Sequence, residues 1–254
     1  MKPNRMKARI KAGVPAFGVS IMIPSPQLVE IVGRLGYDWV LIDCEHGNIN
    51  LETAEHLALA AEASGITPIA RPKSNRADDI LQLMDRGIQG VQVPHVNTAE
   101  DAQRAVNAVK YHPMGTRGLG GGTRAAEYGL TQTVDEYIEA TNDETLVCVQ
   151  LEDAEAIKNV DEILEVKNID VFFIGHNDLS QSMGYPGNPK EPVVAEAINS
   201  TFEKIRAAGK ASGTPGTIDN IQDVLSKGVL YTYNHIPKLL NTATQEFLQK
   251  AKSG

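Results

Sequence analysis

Short apolar runs alternate along the chain with longer amphipathic segments. This alternation is typical of repeated strand–helix units built around a parallel sheet. The short runs lack a strict apolar–polar alternation, as expected of strands that helices cover on their outer face. The predicted strands span residues 17–21, 39–43, 67–71, 90–94, 146–152, 171–174, 210–213 and 229–233.

The longer segments repeat their apolar residues with the period of an α-helix. In segment 51–63, for example, Ala54, Leu57 and Ala61 fall on one face. Eight such units in a chain of 254 residues match a (β/α)8 barrel, or TIM barrel, of about 250 residues. The fold is therefore predicted to be an α/β barrel that forms one domain over residues 1–254. The other predicted helices span residues 77–86, 98–109, 134–141, 154–166, 193–208, 218–227 and 237–250.

Two segments interrupt this alternation, the glycine-rich stretch 111–130 and the irregular stretch 183–192. Loops of such length in a compact domain are usually functional or mobile. Residues 118–122 read Gly-Leu-Gly-Gly-Gly, but they lack the lysine and the spacing of the known phosphate-binding loops. The glycine run is therefore only a weak indication of a phosphate site.

Composition excludes several classes of protein. A net charge of −8 argues against nucleic-acid binding, which normally requires a basic surface. No apolar run approaches the roughly 20 residues that span a bilayer, and no signal peptide follows the basic N-terminus. Cys44 and Cys148 lie in apolar runs without the spacing of a metal or redox pair. We therefore expect two buried thiols in a cytoplasmic protein.

Polar residues fall at the carboxyl ends of the predicted strands. Asp43, Arg71, Gln150 and Glu152 end three of these strands, and Asp178 follows the strand 171–174 by a few residues. The carboxyl ends of all strands in a (β/α)8 barrel form one rim, which carries the active site. The sequence therefore predicts that these five side chains share one pocket.

Two of these residues suit a metal ion. Glu152 lies in phase with Gln150 on its strand, and a carboxylate inside a barrel mouth is costly unless it is paired or metal-bound. Together with Asp178 it would suit a hard divalent cation such as Mg²⁺ or Mn²⁺. The alternatives are a salt-bridged rim residue for Glu152 and a helix N-cap for Asp178.

Catalytic chemistry is predicted for one histidine and one arginine. His46 follows Asp43 and Glu45, and a histidine beside carboxylates can act as a general base. Its alternative is a hydrogen-bonded loop residue. Arg71 can bind a carboxylate or stabilise an enolate, or else form a salt bridge to a neighbouring strand end. The remaining histidines are interpreted as structural, although one of them lies in the proposed metal loop: His56, His95, His112, His176 and His235.

A set of ordered motifs resembles the HpcH/HpaI aldolases over about residues 12–240. Several motifs in the same order are far more specific than any one of them. The motifs are DCEH at 43–46, RP at 71–72, MDRG at 84–87, VP at 93–94, GTRG at 115–118, QLE at 150–152 and GHNDLS at 175–180.

The resemblance implies a class II, metal-dependent aldolase of 4-hydroxy-2-oxo acids, such as 4-hydroxy-2-oxoheptanedioate or 2-dehydro-3-deoxyglucarate, in aromatic or sugar-acid catabolism. Glu152 and Asp178 would bind Mg²⁺, Mn²⁺ or Co²⁺, with no organic cofactor. The partners would be a small 2-oxo acid and an aldehyde. The resemblance also implies a hexamer, a trimer of dimers, in which the last helix packs on a neighbouring subunit. Apolar residues of segment 237–250, among them Leu240 and Phe247, form a stripe that such a contact would cover.

The same resemblance implies a role for each remaining site residue. His46 would be the base, paired with Asp43, and Arg71 would neutralise the pyruvate enolate. Gln150 would contact the pyruvate carboxylate. The substrate-binding residues implied in this way are Arg71, Gln150, Gly175 and Asn177.

The chain departs from the family pattern in three places. In the proposed metal loop the family usually has Gly-Pro before a small residue, whereas here Gly175 is followed by His176 and Asn177; at the start of the glycine-rich stretch, His112 stands where the family usually has the first proline of Tyr-Pro-Pro. The last strand, with Tyr231 and Tyr233, is also atypical. These departures leave the aldehyde that the enzyme accepts open.

Three other functions are weighed against the metal-dependent aldolase. A Schiff-base aldolase needs a lysine at the barrel mouth, and no predicted strand ends in lysine. A citrate-lyase-like or malyl-CoA-type lyase needs a basic cluster for the phosphates of coenzyme A, and none is evident. A non-catalytic barrel that binds a small acid would not need the complete set of acidic, basic and histidine residues.

Overall fold

The computed structural model describes residues 2–253 and contains a closed barrel of parallel strands in chain order, with β8 paired to β1. This confirms the predicted (β/α)8 architecture. The strands are β1 (Ala16–Ile21), β2 (Trp39–Asp43), β3 (Thr67–Arg71), β4 (Gly90–Val93), β5 (Leu146–Leu151), β6 (Val171–Ile174), β7 (Ala211–Pro215) and β8 (Tyr231–His235).

The helices surround the barrel, and they include two at the N-terminal end that the periodicity did not predict. The second of these begins where Ser25 caps the helix and Pro26 occupies its first turn. The helices are α1 (Arg5–Lys11), α2 (Pro26–Arg34), α3 (Leu51–Ala63), α4 (Ala77–Met84), α5 (Ala99–Val109), α6 (Val134–Glu144), α7 (Ala154–Lys158), α8 (Val160–Leu164), α9 (His176–Ser182), α10 (Pro192–Ala207), α11 (Ile221–Ser226) and α12 (Ile236–Lys252).

Several predicted elements differ in their bounds, and two of these differences are informative. The single helix predicted over 154–166 is two short helices that meet at Asn159. The last strand begins two residues later than predicted, because Gly228, with φ of 80°, ends the turn after α11 and residues 229–230 still belong to the connection. As a consequence His235 lies within β8, opposite Ser20 of β1.

Aromatic side chains fill the middle and the bottom of the barrel. The rings of Trp39 and Tyr231 lie 4.1 Å apart, and Phe173 stacks on Tyr233 at 5.4 Å. Gly18 faces this cluster, and a Cβ there would stand 2.3 Å from the Trp39 ring. The barrel interior is thus packed as a core, which leaves the carboxyl-end rim as the place for chemistry.

The glycine-rich stretch 111–130 is held to the barrel by ion pairs. Arg117 binds Asp85 at 2.6 Å, and Arg124 binds Glu62 at 2.8 Å. The stretch contains a 3-10 turn, Arg124–Gly129. It therefore has several fixed points along its length.

The apolar stripe predicted for the last helix lies on an exposed face of α12. Leu240 is 61% exposed and Phe247 is 70% exposed. Within residues 2–253, no helix combines the length and the apolar character needed to cross a membrane. Cys44 and Cys148 are both buried and unpaired, as predicted.

Candidate active site

An acid–base pair lies at the ends of β2 and β3. Asp43 and Arg71 are direct neighbours in the parallel ladder, and the Arg71 Nε and Nη2 atoms lie 3.1 and 2.5 Å from the two Asp43 oxygens. Glu45 adds a carboxylate oxygen 3.1 Å from Arg71 Nε. Burial disfavours the charged form of Arg71, but the hydrogen bonds and charge of Asp43 outweigh it and raise the arginine pKa. Arg71 is therefore a permanent, buried cation at the rim.

His46 lies beside this pair with an exposed ring. Its Nε2 atom is 3.7 Å from Glu45, and its side chain is 57% exposed. It meets Asp43 through its backbone N–H, which donates to Asp43 Oδ1 at 3.2 Å. The expected pair of His46 and Asp43 thus occurs as a backbone contact, because Arg71 already occupies both oxygens of Asp43.

Glu152 is the buried carboxylate of the site, only 1% exposed. Its Oε1 atom accepts the backbone N–H of His95 at 2.9 Å, and its Oε2 atom accepts the amide of Gln150. Burial is the main reason that the pKa of Glu152 is raised to about 7; the nearby charge of Asp178 acts in the same direction, whereas the two hydrogen bonds and the charge of His95 oppose the shift. The sequence-based pairing of Gln150 with Glu152 on one face is confirmed by this contact.

Asp178 lies in the first turn of α9, which begins after Gly175. The N-cap position belongs to Gly175, so the alternative interpretation of Asp178 as an N-cap is wrong. Asp178 and Asn177 are both exposed at this turn. Gly175 faces Glu152, and a Cβ at that position would stand 2.8 Å from Glu152 Oε2. Only glycine lets residues 175–180, the proposed metal loop, approach this carboxylate so closely.

The two carboxylates Glu152 and Asp178 fit a divalent cation. Asp178 raises the pKa of Glu152 through its charge, so the two groups lie within electrostatic reach of each other. Among the described residues, no three His, Cys, Asp or Glu side chains gather as a metal site. Mg²⁺ commonly binds one or two carboxylates and completes its shell with water and substrate oxygens. The residues present thus fit an ion of that type.

His95 is a site residue that the sequence interpretation left as structural. It follows the end of β4 and has a φ of 51°. Its Nδ1 atom lies 3.0 Å from Asp153 and 3.6 Å from Glu152, and its Nε2 atom lies 3.8 Å from Glu45. Burial lowers its pKa, but the carboxylates, Asp153 first, outweigh burial and raise it. Its position directly after a strand end was the signal that could have identified it.

His176 is oriented away from the mouth. Its Nε2 atom lies 3.0 Å from Thr214 Oγ1, and the edge of its ring faces Phe202 of α10. The Thr214 hydroxyl donates to the Ile174 carbonyl oxygen at 3.1 Å, so His176 Nε2 carries the proton and donates. Burial lowers the pKa of His176 to about 4. Although His176 belongs to the proposed metal loop, residues 175–180, its ring packs between the barrel and the helices.

Comparison with known proteins identifies the family of the chain. A family model described as HpcH/HpaI aldolase/citrate lyase matches residues 18–231. The chain belongs to this family. The resemblance drawn from the sequence motifs is thereby confirmed, and with it the class of carbon–carbon lyase.

Relatives of the HpcH/HpaI family are similar over most of the chain. The 4-hydroxy-2-oxo-heptane-1,7-dioate aldolase of Shigella flexneri is 40% identical over 210 residues, which are 83% of this chain and 78% of that protein. The hydroxypyruvate/pyruvate aldolase of Sagittula stellata is 38% identical over 222 residues, 87% of this chain and 85% of that protein. A crystal structure of an HpcH/HpaI aldolase/citrate lyase family protein from Burkholderia cenocepacia superposes with a TM-score of 0.92 at 26% identity, covering 98% and 99% of the two chains.

Proposed function

We propose that this aldolase cleaves and forms 4-hydroxy-2-oxo acids, with pyruvate and an aldehyde as the other reactants. The observation that carries the proposal is a continuous ionic network across four strand ends. Arg71 contacts Glu45, Glu45 lies 3.8 Å from His95, and His95 contacts Glu152. A permanent cation and a buried carboxylate are thus held on one rim, which suits the binding of a 2-oxo acid and the stabilisation of its enolate.

Glu152 and Asp178 would hold the divalent metal of the reaction, of the Mg²⁺, Mn²⁺ or Co²⁺ type. When bound, such an ion supplies Lewis-acid polarisation of the substrate's oxo group. Gln150 donates to Glu152 through Nε2, which has a second hydrogen for the carboxylate of the substrate. Asn177 is exposed beside Asp178 and extends the substrate-binding surface.

Arg71 would stabilise the negative charge that develops on the enolate oxygen. Asp43 engages Nε and Nη2 of the guanidinium, so Nη1 is the nitrogen oriented to meet substrate among the contacts described. The two carboxylates around Arg71 hold its plane in one orientation. This geometry provides electrostatic stabilisation without a movement of charge during the reaction.

His46 would take the proton from the C4 hydroxyl group of the substrate. The C3–C4 bond then breaks, the aldehyde leaves, and the bonding electrons remain as the enolate of pyruvate. Protonation of this enolate at C3 yields pyruvate, and condensation follows the reverse path. The exposed ring of His46 lies at the mouth, where the aldehyde half of a substrate would enter.

A panel of 4-hydroxy-2-oxo acids tests the proposal by release of pyruvate from the Mn²⁺-loaded protein. We expect release from at least one member, its loss in EDTA, and its loss in Glu152→Gln. A parallel arm offers CoA thioesters of malate and citramalate. Cleavage of a thioester without cleavage of any aldol would favour the citrate-lyase-like alternative, and binding of pyruvate without any turnover would favour a non-catalytic barrel.

A further inference from the structure

Four polar side chains form a hydrogen-bonded chain through the barrel interior, from β8 to the proposed metal site. The Tyr231 hydroxyl donates to Gln92 Oε1 at 3.1 Å. The Gln92 amide nitrogen donates to Gln150 Oε1, and the Gln150 amide nitrogen donates to Glu152 Oε2. Each of these side chains is at most 2% exposed. The links between these side chains are therefore shielded from bulk water.

The hydrogen bonds along this row of side chains all run in one direction, from Tyr231 to Glu152. In the ionised form that would bind a metal, the Glu152 carboxylate only accepts hydrogen bonds, so Gln150 must present its NH₂ group to it. The carbonyl oxygen of Gln150 then faces Gln92, which must in turn present its NH₂ group, and the oxygen of Gln92 faces Tyr231. A reversed Gln92 would place its amide oxygen against the amide oxygen of Gln150. Burial raises the pKa of Tyr231, so its hydroxyl keeps the proton that this last link requires.

We propose that Tyr231 and Gln92 are positioning residues that fix the orientation of the Gln150 amide and, through it, of the Glu152 carboxylate for metal binding. The proposal rests on the metal site of the proposed function. Neither residue reaches the rim, so both act through Gln150. The same hydrogen-bonded row accounts for two features of the sequence that a barrel core does not explain. One is a glutamine, Gln92, inside the buried strand β4, and the other is a tyrosine, Tyr231, in the atypical last strand.

A purely structural role for Tyr231 and Gln92 would affect stability but not metal affinity. Loss of a hydrogen-bond partner for a buried polar group lowers stability wherever it occurs. A positioning role predicts an additional loss of metal affinity, because residues that orient metal ligands typically change affinity by about 10–100-fold. The measurement must therefore be metal binding, in addition to activity.

The experiment measures the Kd of Mn²⁺ for the metal-free protein by calorimetry. We expect Gln92→Met to weaken binding by about 10–100-fold, and Tyr231→Phe to weaken it in the same direction. Tyr111→Phe is the matched control. It removes a buried hydroxyl that contacts Tyr137 at 3.3 Å in a separate apolar cluster, and it should lower stability without a change in the Kd for Mn²⁺.

A double variant tests whether the two residues act along one path. Because Tyr231 acts through Gln92, Tyr231→Phe should have no further effect on the Kd in the Gln92→Met background. Additive effects, or a Kd that neither variant changes while Glu152→Gln abolishes binding, would overturn the positioning role and leave the metal site standing. Mn²⁺ binding that Glu152→Gln does not alter would overturn the metal site, and the positioning role with it.

Discussion

Gly175 and Glu152 are packed so closely that a methyl group at position 175 would stand 2.8 Å from one carboxylate oxygen and 2.9 Å from the Glu152 Cβ atom. The N-cap residue of α9 is thus fitted to the carboxylate that directly follows β5. Asp178 stands three residues further along, in the first turn of the same helix. The spacing between the two proposed metal ligands therefore depends on this glycine contact.

Gly175→Ala should weaken metal binding. The added Cβ must displace either Glu152 or the start of α9, and a shift of ligand geometry typically costs about 10–100-fold in metal affinity. Measurement of the Kd for Mn²⁺ checks this expectation. The far-UV circular dichroism spectrum should be unchanged. Gly122→Ala is the control, because a Cβ there meets nothing within 4 Å. An unchanged Kd in Gly175→Ala would show that the contact is not needed for metal binding.

His46→Ala should lower kcat by about 10²–10⁴-fold, the usual contribution of a general base, and leave the Kd for Mn²⁺ nearly unchanged. His95→Ala should lower kcat by less than about 10-fold, because its backbone N–H still donates to Glu152 in the variant. Exchange of deuterium into the methyl group of pyruvate separates chemistry from aldehyde binding. If His95→Ala loses both the exchange and aldol cleavage while His46→Ala keeps both, the base is His95.

His176 makes the stability of the metal-free protein depend on pH. Its pKa is lowered to about 4 by burial from an ordinary value of 6.5, so the unfolded chain binds the proton more tightly. With respect to this group, the free energy of unfolding has its full value above about pH 6.5. It falls by at most about 3 kcal/mol as the pH falls towards 4. Denaturant unfolding of the wild type and His176→Gln in EDTA measures the difference.

Glutamine keeps a donor for Thr214 and does not titrate. The wild-type free energy of unfolding should therefore fall more steeply than that of His176→Gln between pH 6.5 and pH 4. Carboxylates contribute the same slope to both proteins and cancel in the comparison. Parallel curves for the two proteins would mean that His176 is not neutral in the folded state.

The protein should form a hexamer in solution, with α12 covered by a neighbouring subunit. The exposed Leu240 and Phe247 on α12 support a contact that removes apolar surface from water. Light scattering at micromolar concentration measures the mass. Leu240→Ser with Phe247→Ser should lower it, whereas Leu130→Ser, at an 82% exposed position outside α12, should not. A monomeric wild type would contradict the expected assembly.

The sequence alone determined the barrel and most of its rim. Apolar runs alternating with helical periods are a local property, because burial against covering helices requires them in each unit separately. Asp43, Arg71 and Glu152 could be assigned to one pocket because the carboxyl ends of parallel strands meet at one rim, whatever the distances along the chain.

The tertiary structure decided which groups contact each other at that rim. His46 contacts Asp43 through its backbone, and His95 enters the site because the backbone after β4 adopts a positive φ. His176, which belongs to the proposed metal loop, packs instead against Thr214 of β7. Such choices depend on the dihedral angles of loops and on competition for hydrogen-bond partners, which no periodic pattern encodes.

The path from Tyr231 to Glu152 was likewise beyond the sequence. Its links join β8, β4 and β5, and residue pairs 139 and 58 positions apart meet only when the barrel closes. Polar residues in buried strands were visible as exceptions to the apolar pattern. Their direction of donation follows from Glu152, which can only accept in the ionised form that would bind a metal, and that constraint exists only where the side chains are packed together.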